Sequence, residues 1–593
     1  MEERTKELLE QAREHFRFGR MDSAALCYQQ VLRSEPSQLD ALIGLADSLE
    51  SLGRNLEVIA LLEQSLTQTP FPALVQRRLA DAFHVQGDLR RAIAAYRHAV
   101  ALDQSLTGAW WGLGCARASL GAHAGAVESF QRLLALEPEN GVALSNLGKS
   151  LFELGQIDPA IDAFRKSVDH LPPEMQGVPL GSIAVAIPGS STANNQDVLE
   201  ARRAWATRCL PQVPTDRVFP TREADPHRPL RLGYVSAFFT KRNWMKPVWG
   251  LIDRHDHDRF QVHVFSDGPE PDPQHGYNQN PRVSFHNVNA LSNGELARFI
   301  EEQAIDLLID LNAFSRPSRL PLYALRPAPV QVAWFSLFAP SGMTCFDHLV
   351  GDAHVITGEE EIFYSEKIVR VPGSYMTFQV SYPVPDVAAA PCLKKGHLTF
   401  GCLAPQYKIT TLVIEAWSRI LREIPTARMI LKNVILGETA ARKFVHGLFA
   451  KFSIPAERVE LDGPAEHCAF LDRYADIDVA LDTFPYNGGT TTAEALWQGV
   501  PVLSFTGDRW VARISASILR EAGLAEFVAP DLDGFVAKAV ALAREPEVPA
   551  RLDALRHTMR DRLRAAPVCD VASFARNMEE AYLQMWRRHA KRS

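Results

Sequence analysis

Several things are scarce in this chain of 593 residues, and each scarcity closes off a class of function. No apolar run approaches the ~18 residues that a bilayer-spanning helix needs, so no membrane partner is expected. The eight cysteines are scattered, without a C-x-x-C pair or a spacing that suits zinc. They read as reduced thiols of a cytoplasmic protein, and no metal site is expected. Net charge is small as well: 63 Lys and Arg against 70 Asp and Glu leave -7, with no basic cluster to mark a nucleic-acid surface. The opening Met1-Glu2-Glu3-Arg4 runs directly into a charged helix, which does not fit a secretory signal. The hydrophobic share of 46% against 22% charged residues is that of a soluble globular chain. Its length suffices for about three domains, each able to bury a core.

Glycine, by contrast, is placed with great regularity. Gly19, Gly53, Gly87, Gly121 and Gly155 recur every 34 residues. Ala24, Val58, Ala92, Ala126 and Ala160 keep the same phase, as do Tyr28, Leu62, Tyr96, Phe130 and Phe164. Prolines at 36, 70, 138 and 172 close the repeats, with Gln104 the exception. A small residue where two helices touch, an aromatic that fills the next groove and a proline that stops the second helix are the needs of a stacked helix-turn-helix. The pattern resembles the tetratricopeptide repeat, and it predicts five repeats over 1–172. Such arrays present a concave groove that binds protein segments, so a protein partner is expected. Trp110 falls at a core position of its repeat, and Trp111 beside it is a candidate for lining the groove.

The stretch 173–228 is rich in Pro, Gly, Ser and Asn with one helical segment, Asp197 to Cys209, and reads as a linker. Beyond it, short apolar strands alternate with amphipathic helices: LRLGYVS (230–236), FQVHVFS (260–266), IDLLIDL (305–311) and VQVAWF (330–335). A second series runs through LTFGCL (398–403), ARMILKN (427–433), RVELDG (458–463), VALDTF (479–484) and PVLSF (501–505). Strands separated by helices predict parallel sheets, hence two doubly wound lobes over 229–390 and 391–566 and a C-terminal helix in 567–593. Ligands of such folds sit beyond the carboxyl ends of the strands.

Two segments carry candidate chemistry. In Asp482-Thr483-Phe484-Pro485-Tyr486-Asn487-Gly488-Gly489-Thr490-Thr491-Thr492-Ala493-Glu494, a strand ends, a turn of Asn and two Gly follows, and three threonines open a helix. Glycines let backbone approach a ligand, and a helix start offers N–H groups and a positive dipole to phosphate. An ordinary threonine-capped helix is the alternative, although three successive threonines cost helix propensity. Gln406-Tyr407-Lys408 stands between a strand and the next helix, where a lysine faces the same cleft edge and can neutralise a leaving phosphate; a solvated lysine is the bland counterpart. Asp476-Ile477-Asp478 mimics the DxD of metal-dependent transferases but leads into a strand, and reads as structural.

Taken with ALRPAPVQ (324–331), Glu466-His467 and the run LDT-PYN-GGTTT-EALW-G-PVL (481–503), these segments resemble the protein O-GlcNAc transferase family. That family couples tetratricopeptide repeats to a metal-independent glycosyltransferase of the GT-B type, with two Rossmann-like lobes. The resemblance implies a protein O-glycosyltransferase whose nucleotide sugar, CMP- or UDP-linked, is a substrate and not a cofactor. It implies that Lys408 is catalytic, steadying the leaving phosphate. It assigns donor binding to Gln406, His467, Asn487, Gly488, Gly489, Thr490, Thr491, Thr492 and Glu494, the last at the ribose position. No general base is singled out; His348 and His354 are lone histidines.

The first lobe departs from the family. After its first strand the chain reads Ala237-Phe238-Phe239-Thr240-Lys241-Arg242-Asn243-Trp244-Met245-Lys246, without the usual Asp-Phe and His, and Ala313-Phe314-Ser315 and Leu337-Phe338-Ala339 replace two other family loops. Lys241, Arg242 and Lys246 would suit an acidic sugar through charge-assisted hydrogen bonds. Flagellin glycosyltransferases of bacteria are similar in organisation, which implies a CMP-linked nonulosonic acid of the pseudaminic acid type as donor and flagellin as partner. A UDP-GlcNAc-dependent transferase and a non-catalytic scaffold are the alternatives.

Overall fold

The computed structural model describes residues 2–212, 228–241, 243–269, 280–380 and 382–591. They divide into two compact units, Met1–Glu153 and Leu154–Ser593.

The first unit is all helix: α1 (Glu2–Arg17), α2 (Met21–Ser34), α3 (Leu39–Ser51), α4 (Asn55–Ser65), α5 (Pro72–Val85), α6 (Leu89–Leu102), α7 (Thr107–Ser119), α8 (His123–Leu136) and α9 (Gly141–Glu153). The periodic glycines are the turns. Gly19, Gly53, Gly87 and Gly121 all take φ between 73° and 81°, a left-handed conformation that a Cβ disfavours. The periodic aromatics sit where bare backbone makes room. Tyr28 packs against Gly44 and Tyr96 against Gly112, each so closely that a Cβ on the glycine would overlap the ring. Trp111 is turned toward Phe130, ring centres 5.9 Å apart. Arg78, buried on α5, reaches back to Asp47 and Glu50 of α3 at 2.9 and 2.6 Å and so ties successive repeats together.

The second unit opens with α10 (Ile157–His170), the second helix of the fifth repeat, followed by α11 (Gly177–Ala186) and α12 (Asn195–Cys209). Residues 213–227 of the expected linker lie outside the described residues. What precedes them is packed structure. α12 starts in a capping box formed by Asn194 and Asp197, and Val198, Leu199, Arg202 and Trp205 are buried along it.

Among the described residues the strands form two parallel sheets. The first lobe contains β1 (Leu230–Ser236), β2 (Phe260–Ser266), β3 (Val283–Asn287), β4 (Leu307–Asp310), β5 (Val330–Ala333), β6 (His348–Gly351) and β7 (Lys367–Arg370), in the order 3-2-1-4-5-6-7. The second contains β8 (Thr399–Cys402), β9 (Arg428–Lys432), β10 (Val459–Asp462), β11 (Val479–Leu481), β12 (Val502–Phe505) and β13 (Val528–Ala529), in the order 10-9-8-11-12-13. Central strands such as β1, β4 and β8 are buried along nearly their whole length, which is why they read as continuous apolar runs. In each sheet the order reverses beside the first strand, opening a crevice at the carboxyl ends. The final helix, Val571–Ala590, returns to the first lobe. Its Tyr582 hydroxyl meets Tyr234 of β1 at 3.2 Å, and Glu579 accepts from the Asp256 N–H at 2.8 Å.

No helix among the described residues is long and apolar enough to cross a membrane.

Candidate functional site

The site is assembled from the end of β11. Asp482 follows the strand, is buried, and accepts from the N–H groups of Thr483 and Gly488, both at 2.9 Å, and from the Ser504 hydroxyl at 2.6 Å. Those bonds close the loop 482–488 and deliver the chain to the helix Thr490–Trp497. Gly488 has to be glycine on steric grounds: a Cβ there would lie 2.5 Å from the Thr492 hydroxyl and 2.8 Å from that of Thr491. Thr492 turns inward, to Ser515 at 2.8 Å. Gly489, Thr490 and Thr491 face outward and line the cleft. No side chain caps this helix start, so the first N–H groups have no intrahelical acceptor and point at whatever occupies the cleft.

Lys408 approaches from the turn after β8. Its ammonium donates to the Asn487 carbonyl at 2.7 Å and sits 4.0 Å over the Tyr486 ring. Burial drags its pKa down to about 8, with the Asp482 carboxylate working the other way. A desolvated cation held beside bare amide groups is a site waiting for an anion.

Around these groups lies an open cleft of about 1730 Å³, partly continuous with solvent and lined from both lobes. The second lobe supplies Lys408, His467, Tyr486, Thr490, Thr491 and Glu494. From the first come Phe238, Asn243, Trp244, Ser315, Phe335 and Phe338. These loops are wound tightly: Ala313, Phe335 and Phe338 adopt φ of 45°, 75° and 52°, a left-handed conformation that is costly for bulky residues.

The lobes also touch behind the cleft. Lys246, at the start of the helix Lys246–Arg254, pairs with Glu494 at 3.0 Å, both side chains being only 5–6% exposed. Burial lowers the Lys246 pKa and raises that of Glu494, and their mutual attraction opposes both shifts. His467 completes the group. Its Nδ1 accepts from the Asn243 amide at 2.8 Å, leaving Nε2 protonated toward the Tyr382 hydroxyl at 3.1 Å. Burial, with Lys246 nearby, pushes the imidazole down to about 4, so it is neutral at physiological pH.

Lys408, His467, Gly489, Thr490, Thr491 and Glu494 therefore gather along one cleft, while Gly488 and Thr492 do not line it. Gln406 is buried beneath its turn, where its Oε1 accepts from Asn433 at 3.2 Å, and it does not line the cleft. Asn487 is likewise buried and ties its own loop, its amide donating to the Thr483 carbonyl at 2.7 Å, although it borders the cleft. Lys246, expected at a donor carboxylate, is instead neutralised by Glu494. Of its two basic companions, Lys241 is exposed and Arg242 lies outside the described residues. Asp478 of the DxD look-alike is fully buried, accepting from the N–H groups of Cys392 and Thr399. His348 is buried and His354 pairs with Glu521 at 3.1 Å; neither borders the cleft. Phe338 belongs to the Leu337-Phe338-Ala339 loop that departs from the family pattern, whereas Phe335, at the end of an apolar strand run, carries no mark in the sequence of facing the cleft.

The family model for glycosyl transferase family 41 matches residues 204–383 and 389–578. A tetratricopeptide repeat model matches overlapping segments between residues 9 and 175. A probable UDP-N-acetylglucosamine–peptide N-acetylglucosaminyltransferase, SPINDLY, of Solanum lycopersicum is 29% identical over 398 residues, covering 66% of this chain and 42% of the relative. The Hordeum vulgare protein of the same name is 30% identical over 369 residues, covering 61% and 39%. The chain thus spans about two fifths of the length of these curated relatives. Among solved structures, a mutant of the O-GlcNAc transferase of Thermobaculum terrenum superposes with a TM-score of 0.75 at 29% identity, covering 88% of this chain and 98% of that one.

Proposed function

The chain belongs to glycosyl transferase family 41, and on that footing we propose that it transfers a sugar from a nucleotide donor to Ser or Thr hydroxyls of a protein held by the repeats. The observation that carries the reading is the pairing, in one cleft, of the desolvated Lys408 ammonium with the uncapped helix start at Thr490 and Thr491. In the reaction the acceptor oxygen bonds to the anomeric carbon and its hydroxyl proton passes to solvent in the open cleft, while the bond from that carbon to the phosphate oxygen breaks. The electron pair leaves on the phosphate. Lys408 and the N–H groups meet that growing charge, and one such preorganised donor is worth about 3 kcal/mol of barrier. The aromatic side chains of the first lobe offer apolar surface to the sugar.

A neutral, UDP-linked sugar is the donor the site suits best. The relatives named above are called UDP-N-acetylglucosamine transferases, and Lys246 has its charge balanced by Glu494. The CMP-linked nonulosonic acid, with flagellin as acceptor, is the second reading; it is favoured by the exposed Lys241 and by the replacement of the family's usual residues in the first-lobe loops. Incubation with each nucleotide sugar and candidate acceptor proteins, read by intact mass with Lys408→Ala as control, tests the proposal. A sugar-sized mass gain that the variant abolishes is expected. No mass gain with any donor would leave a scaffold. Thermal stabilisation by UDP alone, or by CMP alone, separates the donor classes.

A further inference from the structure

The wall of the cleft opposite the nucleotide groups rests on a residue just ahead of the segment that the family model matches. Arg202 of α12 is 3% exposed; on the first-lobe side it hydrogen-bonds backbone carbonyls, with the buried Glu366 carboxylate near enough to feel its charge. Its guanidinium donates to the Leu337 carbonyl through two nitrogens, at 3.3 and 3.2 Å, and to the Pro340 carbonyl at 2.8 Å. Nε donates to the Ala184 carbonyl at 3.2 Å, which anchors the side chain to α11. The two gripped carbonyls flank Phe338. The same guanidinium lies 4.6 Å over the Phe314 ring, next to cleft-lining Ser315.

That grip answers a need. Phe338 and Phe335 hold left-handed backbone angles, each at a cost of about 1–3 kcal/mol that surrounding structure has to overcome. Arginine's planar fork of donors fixes several acceptors at once, as no other side chain does. Contact is close enough that Gly342, at φ 70°, has no room for a Cβ against the Arg202 and Arg203 backbone of α12. Phe338 also meets Tyr486, ring centres 6.2 Å apart, but Lys408 beyond it is fixed by its own bond to the Asn487 carbonyl at 2.7 Å.

We infer that Arg202 is a positioning residue that sets the Phe335–Phe338 wall at the distance the donor's sugar requires, leaving the phosphate-binding half to itself. The inference rests on the reading of the cleft as a nucleotide-sugar site. It puts the determinant of sugar binding in a helix that precedes the lobe, gripping one side of a loop whose other side is tied at the Ser341 N–H to Glu366, at 2.9 Å.

Binding measured by calorimetry on the full chain separates this role from general support of the fold. The probes are UDP with UDP-N-acetylglucosamine, and CMP with CMP-N-acetylneuraminic acid. In Arg202→Met the Kd of the sugar nucleotide that binds should rise about tenfold while that of the free nucleotide stays within about twofold. Arg202→Lys, which keeps the charge but not the fork, should fall between. Should the methionine variant not fold, the lysine variant and Phe338→Leu carry the test, the latter with the same sugar-selective loss. Equal losses for nucleotide and sugar nucleotide, or none for either, would overturn the inference. Wild-type protein that binds neither nucleotide would overturn the reading of the cleft, and this inference with it.

Discussion

Replacing Lys408 by methionine keeps the length of the side chain and removes its charge, and the structure says what should happen to stability and to binding separately. Burial lowers the Lys408 pKa from 10.5 to about 8, a penalty on the charged form of about 3 kcal/mol at ~1.4 kcal/mol per unit. Methionine escapes that penalty and loses the bond to the Asn487 carbonyl, worth about 1–3 kcal/mol. The variant should therefore melt no lower than the wild type at pH 7. Binding should behave in the opposite way. Loss of a charge-assisted contact of about 2–3 kcal/mol raises the Kd for a nucleoside diphosphate about 30- to 160-fold. The pH dependence has a definite sign. Between pH 8 and 10.5 the unfolded chain keeps this proton and the ligand-free fold sheds it, so Lys408 makes the free protein more stable as pH rises through that window. The same loss of charge weakens the hold on phosphate, so affinity is greatest near pH 7 and falls above 8. Calorimetry from pH 7 to 9, with thermal melts over a wider range, reads both slopes as differences between wild type and Lys408→Met. A wild-type affinity that ignores pH over this range, or a methionine variant that binds as tightly, would show that the Lys408 charge is not what holds the phosphate.

Two further perturbations follow from the same geometry. Glu494→Ala strands the buried Lys246 ammonium, so stability should drop by about 3–5 kcal/mol, and the double variant Lys246→Met/Glu494→Gln should recover most of it in chemical denaturation; an undiminished single variant would mean that the pair is not desolvated as described. Gly488→Ala forces a methyl against the hydroxyls of Thr491 and Thr492, which should cost about 1–3 kcal/mol and weaken nucleotide binding, whereas a variant with unchanged melting and Kd would show that the turn has slack.

The repeats were legible because each periodic residue answers one local need: the glycines are left-handed turns and the aromatics fill space over facing glycines. Strands β1 and β2 were legible end to end as apolar runs. β3, β6 and β7 were not, since VSFHN, HLVG and KIVR are short and mix polar residues into positions near a sheet edge. α11 was missed for a different reason. GVPLGSIAVA has two glycines and a proline, poor helix formers, and it is held as a helix by packing against α10 and α12. The turn from Asp482 to Thr491 announced itself, since backbone chemistry there depends on glycine. The Lys246–Glu494 pair joins positions 248 residues apart, and Arg202 grips carbonyls 135 and 138 residues away. Contacts of that range leave no mark in the spacing of one sequence, and a buried arginine looks like a surface one until its partners are known.

An anion seated between Lys408 and the helix start at Thr490 is what this cleft is built to hold. A crystal structure with a bound UDP-sugar or CMP-sugar would locate it. Phosphate density within hydrogen-bond distance of the Lys408 ammonium and of the N–H groups at Thr490 and Thr491 is the predicted result; a nucleotide lodged elsewhere, with that corner of the cleft filled by the protein's own side chains, would contradict it.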